Sequence, residues 1–209
     1  MLPLVLDPSR LALILVGDGA AAERRLDLLD AAGAADLTLY AANPSAALAL
    51  AAGHRLVRRL PTIQEVAAAR LVFISDRAAP HARSLAAAAR AAGALVHVED
   101  EPSLSDVHAP AVLRRGDLTI AVSTGGKSPG LAVQVKRFLG AVFGQEWQAR
   151  LDALAALRQG WRAGGADSET VTRWTDAWIG RQGWLPADET PADAPGIAAV
   201  AGRGADRRH

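Results

Sequence analysis

Three short stretches hold the residue types and spacings that chemistry needs. The first, Ala121 to Ala132, reads AVSTGGKSPGLA and invites comparison with a phosphate-binding loop. A Walker loop sets a glycine five residues before the second one, so that backbone amides wrap the phosphate. Here the second glycine is Gly126 and the earlier position is Ala121, so the match fails. What remains is an apolar strand, LTIAVST, then a small polar turn, then the amphipathic helix LAVQVKRFLGAVF. Ser128 and Pro129 open that helix as N-cap and first-turn residue.

The second stretch follows the first apolar run. Gly17-Asp18-Gly19-Ala20-Ala21-Ala22 is a G-x-G-x-x-A turn that leads into a helix. In a dinucleotide fold the first glycine makes the tight turn and the second lets the backbone touch the pyrophosphate. The small third residue lets helix and strand pack. Gly17, Gly19, Ala20 and Ala21 are therefore candidate cofactor contacts, and the competing reading is a tight turn of any α/β protein. The acidic residue that commonly ends the second strand of such folds is absent, since this strand ends Leu39-Tyr40-Ala41-Ala42-Asn43-Pro44. Ala42 and Asn43 take that position, Asn43 can bond a ribose hydroxyl, and no arginine nearby marks a 2′-phosphate pocket. NAD is favoured over NADP.

The third stretch, VHVEDEPSLSDVHAPAV, gathers Glu99, Asp100, Glu101 and Asp106 beside His97 and His108. The carboxyl end of a parallel strand faces the crevice where such sheets bind ligands, a position that suits a general base. Asp100 is expected to end the strand, with Glu99 on the opposite face. Glu101 reads better as a solvated loop residue, and Asp106 equally well as a cap or turn former. His97 and His108 lack helical ligand spacing, so no fixed metal site is expected. His54 and His81 read as surface residues.

The elements that must position these stretches follow from composition and periodicity. With 209 residues, 50% of them hydrophobic, the chain can build a core. There is no cysteine, which excludes disulfides, thiolate catalysis and metal–thiolate sites. A net charge of +1 with signs mixed throughout argues against a dedicated nucleic-acid binder. The apolar start is interrupted by Asp7, Pro8 and Arg10, so neither a membrane span nor a signal peptide is expected, and the protein reads as soluble and cytoplasmic. From Leu11 to about Asp100, short apolar runs alternate with alanine-rich helical stretches, the pattern of βαβ units on a parallel sheet. Pro102 to about Phe143 reads as a crossover, a strand at Leu118 to Thr124 and a helix; that strand would extend the first sheet or pair with another chain. From Gly144 the chain has all five tryptophans and no strand-like run, a separate helical module. The text after Trp184 lacks periodicity and reads as a mobile tail.

In this order, LPLVLD, VGDGAAAERR, LVHVEDEPSLSDVHAPAV and RGDLTIAVSTGGKSPGLA resemble the amino-terminal family of siroheme synthases, the precorrin-2 dehydrogenases and sirohydrochlorin ferrochelatases, over roughly residues 2 to 143. The resemblance implies an NAD-binding Rossmann domain at residues 1–112, a dimerisation strand and helix at 113–143, a helical module at 144–186 and the tail at 187–209. It implies a homodimer that oxidises precorrin-2 to sirohydrochlorin with NAD, and ferrous iron as substrate for a following insertion that gives siroheme. Asp100 matches the family's catalytic aspartate, for proton abstraction and for help in metal insertion. Thr124, Gly125, Gly126, Lys127 and Ser128 match a turn at the tetrapyrrole cleft, where hydroxyls, amides and positive potential would meet substrate carboxylates. For Ser128 and Lys127 a capped helix start alone is the competing reading. Ser75, in the segment Ile74-Ser75-Asp76-Arg77, falls where the family reads Ala-Thr-Asp-Asp and is a candidate cofactor contact, while Arg77 alters the charge there.

The chain departs from the family at His97, where an asparagine is usual, and at Ser105-Asp106-Val107, where Cys-Asp-Phe is usual. The methyltransferase domain fused to longer siroheme synthases is not expected here. Two other functions stay open: a dehydrogenase without chelation, and a non-catalytic NAD-binding regulator. A short-chain reductase is disfavoured, because Tyr40 has Pro44 rather than lysine four residues later.

Overall fold

The computed structural model describes residues 2–75 and 81–185. Five apolar runs form one sheet: β1 Ala12–Val16, β2 Asp36–Tyr40, β3 Leu56–Val57, β4 Leu71–Ile74 and β5 Leu95–Val98, in the order β3-β2-β1-β4-β5. All neighbours pair in parallel, with Leu13 beside both Leu37 and Leu71, and Val16 beside both Tyr40 and Ile74. Parallel strands are covered on both faces, which is why β1 and β4 read as unbroken apolar text, ALILV and LVFI.

Alternation along β1 divides the core in two. Leu13 and Leu15 pack with Leu26 and Leu29 of α1 (Ala20–Ala31) and Leu48 of α2 (Ala46–Ala52). Ile14 and Val16 pack with Val66 of α3 (Ile63–Ala68) and with Leu85, Ala86 and Ala89 of α4 (Ala82–Ala91). The result is a helix–sheet–helix sandwich, the expected Rossmann-like α/β fold. The strand order reverses between β1 and β4, which opens a crevice at their carboxyl ends.

The next segment differs from the sequence expectation. Ala111–Arg115 forms a strand, β6, where only a crossover was read, and it pairs with β7 (Leu118–Val122) in a separate two-stranded sheet. A two-residue turn, Gly116-Asp117, joins them, with Gly116 at φ 59°, a left-handed value that suits glycine. Strand β7 thus finds its partner within the hairpin and does not extend the five-stranded sheet. Helix α5 (Pro129–Val142) follows, its first turn capped by Ser128 Oγ accepting from Leu131 N at 3.3 Å.

The described residues divide into two compact units, one comprising those up to Leu113 with Thr119–Val142, the other Arg114–Leu118 with residues 143–185. The second unit is built on α6 (Glu146–Ala163) and α7 (Ser168–Gln182), started by Asp167 and closed by Gly183 in the left-handed region. Its tryptophans pack edge to face, Trp161 on Trp174 at 5.7 Å and Trp178 on Trp184 at 4.6 Å, with the Arg150 guanidinium 5.0 Å from the Trp147 ring. They serve as the apolar filling of a helix pair. The tail expected at 187–209 lies outside the described residues. No helix among the described residues is long and apolar enough to cross a membrane.

Leu15 is fully buried in the central strand, whereas Leu50 is 86% exposed. Leu15→Ala is expected to lower unfolding free energy by ~2–5 kcal/mol in urea denaturation, and Leu50→Ala to leave the midpoint within experimental scatter.

Candidate functional site

The crevice begins at the end of β1. Gly17 is buried, donates its N–H to Tyr40 O at 3.0 Å, and has φ 151°, outside the range that side-chain-bearing residues readily adopt. Gly19 is the N-cap of α1 with no side-chain cap bond, and a Cβ there would meet no atom within 4 Å. The first amides of α1 are therefore left for a ligand, the arrangement in which helix amino termini hold phosphates. Ala20 and Ala21 form that first turn, while Ala22 is buried at the helix–strand contact, where a larger side chain would not fit. Asp18 Oδ1 accepts the Asn43 N–H at 2.9 Å, so the exposed pair Ala42 and Asn43 is held beside the glycine turn.

Across the reversal, Ser75 follows β4 and donates its N–H to Val16 O at 2.8 Å. Its Oγ is buried and has no hydrogen-bond partner among the described residues. A buried hydroxyl without a partner is costly, and one placed at the ligand crevice fits a group that supplies the missing bond. The free amides, the glycine turn and this hydroxyl together fit a dinucleotide. Arg77, expected to alter the charge beside Ser75, lies outside the described residues. Arg59, which the sequence reading passed over, stacks 5.4 Å from the Tyr40 ring near the end of β2, but its guanidinium is engaged by Glu65.

Asp100 departs from its expected place in one respect. Strand β5 ends at Val98, and Asp100 sits in the turn closed by Glu101 N donating to Val98 O at 3.2 Å. Its φ of 54° is the only positive value among the described non-glycine residues. Aspartate tolerates this region better than most side chains, and backbone strain of this kind gathers at functional sites.

Asp100 lines an open cavity of about 660 Å³ within the first unit, in the size range of small-molecule sites. Glu99, Glu101 and His97 line it from the same strand end; Ser123, Thr124 and Gly126 line it from the turn before α5. Gly125, Lys127 and Ser128 are outside that lining. Thr124 Oγ1 is occupied within the turn, accepting from Ser128 N at 3.1 Å and donating to Ser128 O at 3.0 Å. Gly125 and Gly126 have φ 65° and 79°, so both glycines are required by the backbone itself.

The same cavity wall carries a polar cluster that the sequence reading did not assemble. Arg25 sits on the buried stripe of α1 with Ala22, Leu26 and Leu29. Its Nη2 is 2.6 Å from Glu99 Oε2 and 3.1 Å from His97 Nε2, and its guanidinium lies 5.0 Å from the Phe73 ring centre. His97 Nδ1 is 3.0 Å from Val107 O, and its Nε2 stands 3.5 Å from Glu99 Oε2 as well as beside Arg25. The buried His97 is thus one member of an Arg25–His97–Glu99 unit. Asp106 has a structural role: it accepts from Arg90 Nε at 2.9 Å and from Val96 N at 3.2 Å. Glu101 accepts from Ser103 Oγ at 2.6 Å, and His54 and His81 are exposed.

Also missed were Arg24 and Lys136, both on the cavity wall. The available signal was periodic: Ala21, Arg24, Arg25 and Leu28 on α1, and Pro129, Ala132, Val133 and Lys136 on α5, follow the i, i+3, i+4, i+7 spacing of one helix face.

Comparisons with known proteins agree with this layout. Residues 4–111 match the family model described as putative NAD(P)-binding, and residues 115–141 match the one described as sirohaem biosynthesis protein central. Siroheme synthase of Methylococcus capsulatus is 39% identical over 140 residues, 65% of this chain and 29% of that protein. The siroheme synthases of Xylella fastidiosa and Chromobacterium violaceum are 32% identical over 151 residues and 31% identical over 212, covering 71% and 93% of this chain and 32% and 42% of theirs. The chain thus spans 29% to 42% of the length of these three curated relatives. The solved structure of SirC, precorrin-2 dehydrogenase, superposes with a TM-score of 0.70 at 20% identity, over 89% of this chain and 93% of that one, a likeness of fold.

Two outcomes follow from the geometry. Ser75→Ala removes a buried hydroxyl that lacks a partner, so thermal stability is expected to stay level or rise, while dinucleotide affinity measured by calorimetry falls several-fold. The His97 imidazole and the Arg25 guanidinium hold the Glu99 carboxyl at about 2, below its ordinary 4.5, against the opposing effect of burial. A depressed carboxylate contributes stability that is complete above its unfolded value and is lost as pH falls through the folded one. Unfolding free energy is therefore expected to decline from about pH 4.5 to about pH 2 more steeply than in Glu99→Gln.

Proposed function

The chain belongs to the putative NAD(P)-binding family in the form found at the amino terminus of siroheme synthases, and from that premise we propose that it oxidises precorrin-2 to sirohydrochlorin with NAD and then inserts ferrous iron to give siroheme. The observation that carries this reading is Asp100: a carboxylate on a strained turn, at the carboxyl end of β5, lining a cavity beside the dinucleotide crevice.

Gly17, Gly19 and the amides of Ala20 and Ala21 would hold the pyrophosphate, Ala42 and Asn43 would meet the ribose, and the cofactor would supply a partner for Ser75 Oγ. When bound, NAD supplies the acceptor for the hydride that leaves a ring carbon of the substrate. Asp100 takes the proton released in the same oxidation, which extends conjugation around the ring. In metal insertion the same carboxylate takes the two pyrrole protons one after the other and passes them to solvent as ferrous iron, a substrate here, enters. Arg59, near the end of the second strand, is engaged by Glu65 and so is not free to meet a 2′-phosphate, which supports NAD over NADP.

A homodimer is part of the proposal. Leu131, Phe138 and Val142 of α5 are 55%, 67% and 53% exposed and recur at helical spacing, an apolar face suited to a second copy. Thr124, Gly125, Gly126, Lys127 and Ser128 would border the cleft so formed.

Anaerobic incubation with precorrin-2 and NAD, followed by ferrous iron, tests the reading by absorbance. Sirohydrochlorin formation and then faster metal insertion are expected. Oxidation alone would reduce the protein to a dehydrogenase, and NAD binding without turnover would make it a regulator. Asp100→Ala should abolish insertion and slow oxidation at least a hundredfold, about the lower end of what a general base contributes; unchanged rates would remove Asp100 from the mechanism.

A further inference from the structure

Resting on the tetrapyrrole reading above, we infer that Arg24 of α1 and Lys136 of α5 form a two-helix cation clamp for the acidic side chains of the substrate. Both residues line the 660 Å³ cavity that also contains Asp100. Each stands among apolar neighbours on its own helix face, Arg24 between Ala21 and Leu28, and Lys136 one turn beyond Ala132 and Val133. Neither has a salt bridge among the described residues, whereas Arg25, the next residue along, has its Nη2 taken by Glu99 and His97.

The division of charge within the cavity gives the clamp its direction. Carboxylates come from the β5 turn, as Glu99, Asp100 and Glu101, and Glu99 is neutralised by Arg25. Uncommitted cations come from the two helices. A neutral ligand would have no use for them, and a phosphate would be repelled by the acidic turn if it sat at the floor. A flat polycarboxylate meets both demands: peripheral carboxylates on Arg24 and Lys136, and its oxidisable carbon toward Asp100. Arginine can take a carboxylate through two parallel bonds and lysine through one, so the helices would hold different carboxylates in different ways. Lys127 is exposed and outside the cavity lining, so the positive charge that α5 offers the cavity comes from its second turn, not from the residue before it.

The test titrates the full chain with sirohydrochlorin, comparing wild type with Arg24→Gln, Lys136→Gln and the double variant. Loss of a charge-assisted bond in a partly dehydrated cavity is expected to weaken binding roughly tenfold per site, and about a hundredfold in the double variant if the two act independently. NAD affinity, measured on the same samples, should not change, which also shows that the variants are folded. The wild-type affinity should fall with rising salt, and the double variant's more gently. Variants that bind sirohydrochlorin as tightly as wild type would overturn the clamp while leaving the tetrapyrrole reading intact. A wild-type protein that binds NAD but no tetrapyrrole would overturn both.

Discussion

The carboxyl edge of the sheet depends on one buried guanidinium. Arg25 occupies a position on α1 that periodicity assigns to the core, between Ala22 and Leu29, and a charge there must be paired or it destabilises the fold. Its partners come from the far end of the domain: His97 on β5, and Glu99 in the turn that follows it and holds Asp100. The helix that starts at the glycine turn is therefore tied to the turn that holds the carboxylate. Sheet pairing fixes β1 and β5 only through β4, whereas this contact joins α1 and β5 directly. It is a specificity device more than a source of net stability, because dehydrating the ions offsets much of their attraction.

The elements around the crevice are regular where they build the core and irregular where they meet ligand space. Leu15, Val72 and Val96 lie in ordinary strands with no exposed surface. One residue past the ends of β1 and β4, and two past the end of β5, stand a glycine in a conformation closed to other residues, a buried hydroxyl without a partner, and an aspartate in the left-handed region. Each is locally unfavourable. Such exceptions persist when the surrounding packing enforces them, and their concentration at one edge of the sheet separates a site from a set of ordinary loops.

Much of this was legible from residues alone, for physical reasons. Strands covered on both faces must be continuously apolar, so ALILV and LVFI declared themselves, and a dinucleotide turn needs glycine where Gly17 stands. The Ser128–Pro129 helix start was likewise visible because capping is local. Tertiary partners were not. Periodicity marked α1's buried face without saying that Arg25 would find Glu99 and His97 there, so His97 looked like a lone departure from the family pattern. It also could not show that Lys136 shares a cavity with Arg24, since the two helices are far apart in sequence. Strand β6 was hidden by its flanks: Pro110 before it and the Arg114-Arg115 pair at its end resemble loop text, although Gly116-Asp117 is a hairpin turn. The strand end before Asp100 was misjudged by two residues because the turn after Val98 is made by acidic residues without glycine or proline.

The strand order has a consequence for the growing chain. Strand β1 is central, yet it is made first, and Leu13 reaches its second neighbour only when Leu71 has been synthesised. Until then one edge of ALILV is unpaired, and β5, which closes the far side, comes later still. Nascent chains of this protein thus pass through an interval in which their most apolar segment is an open β-edge, when association with other chains competes with folding.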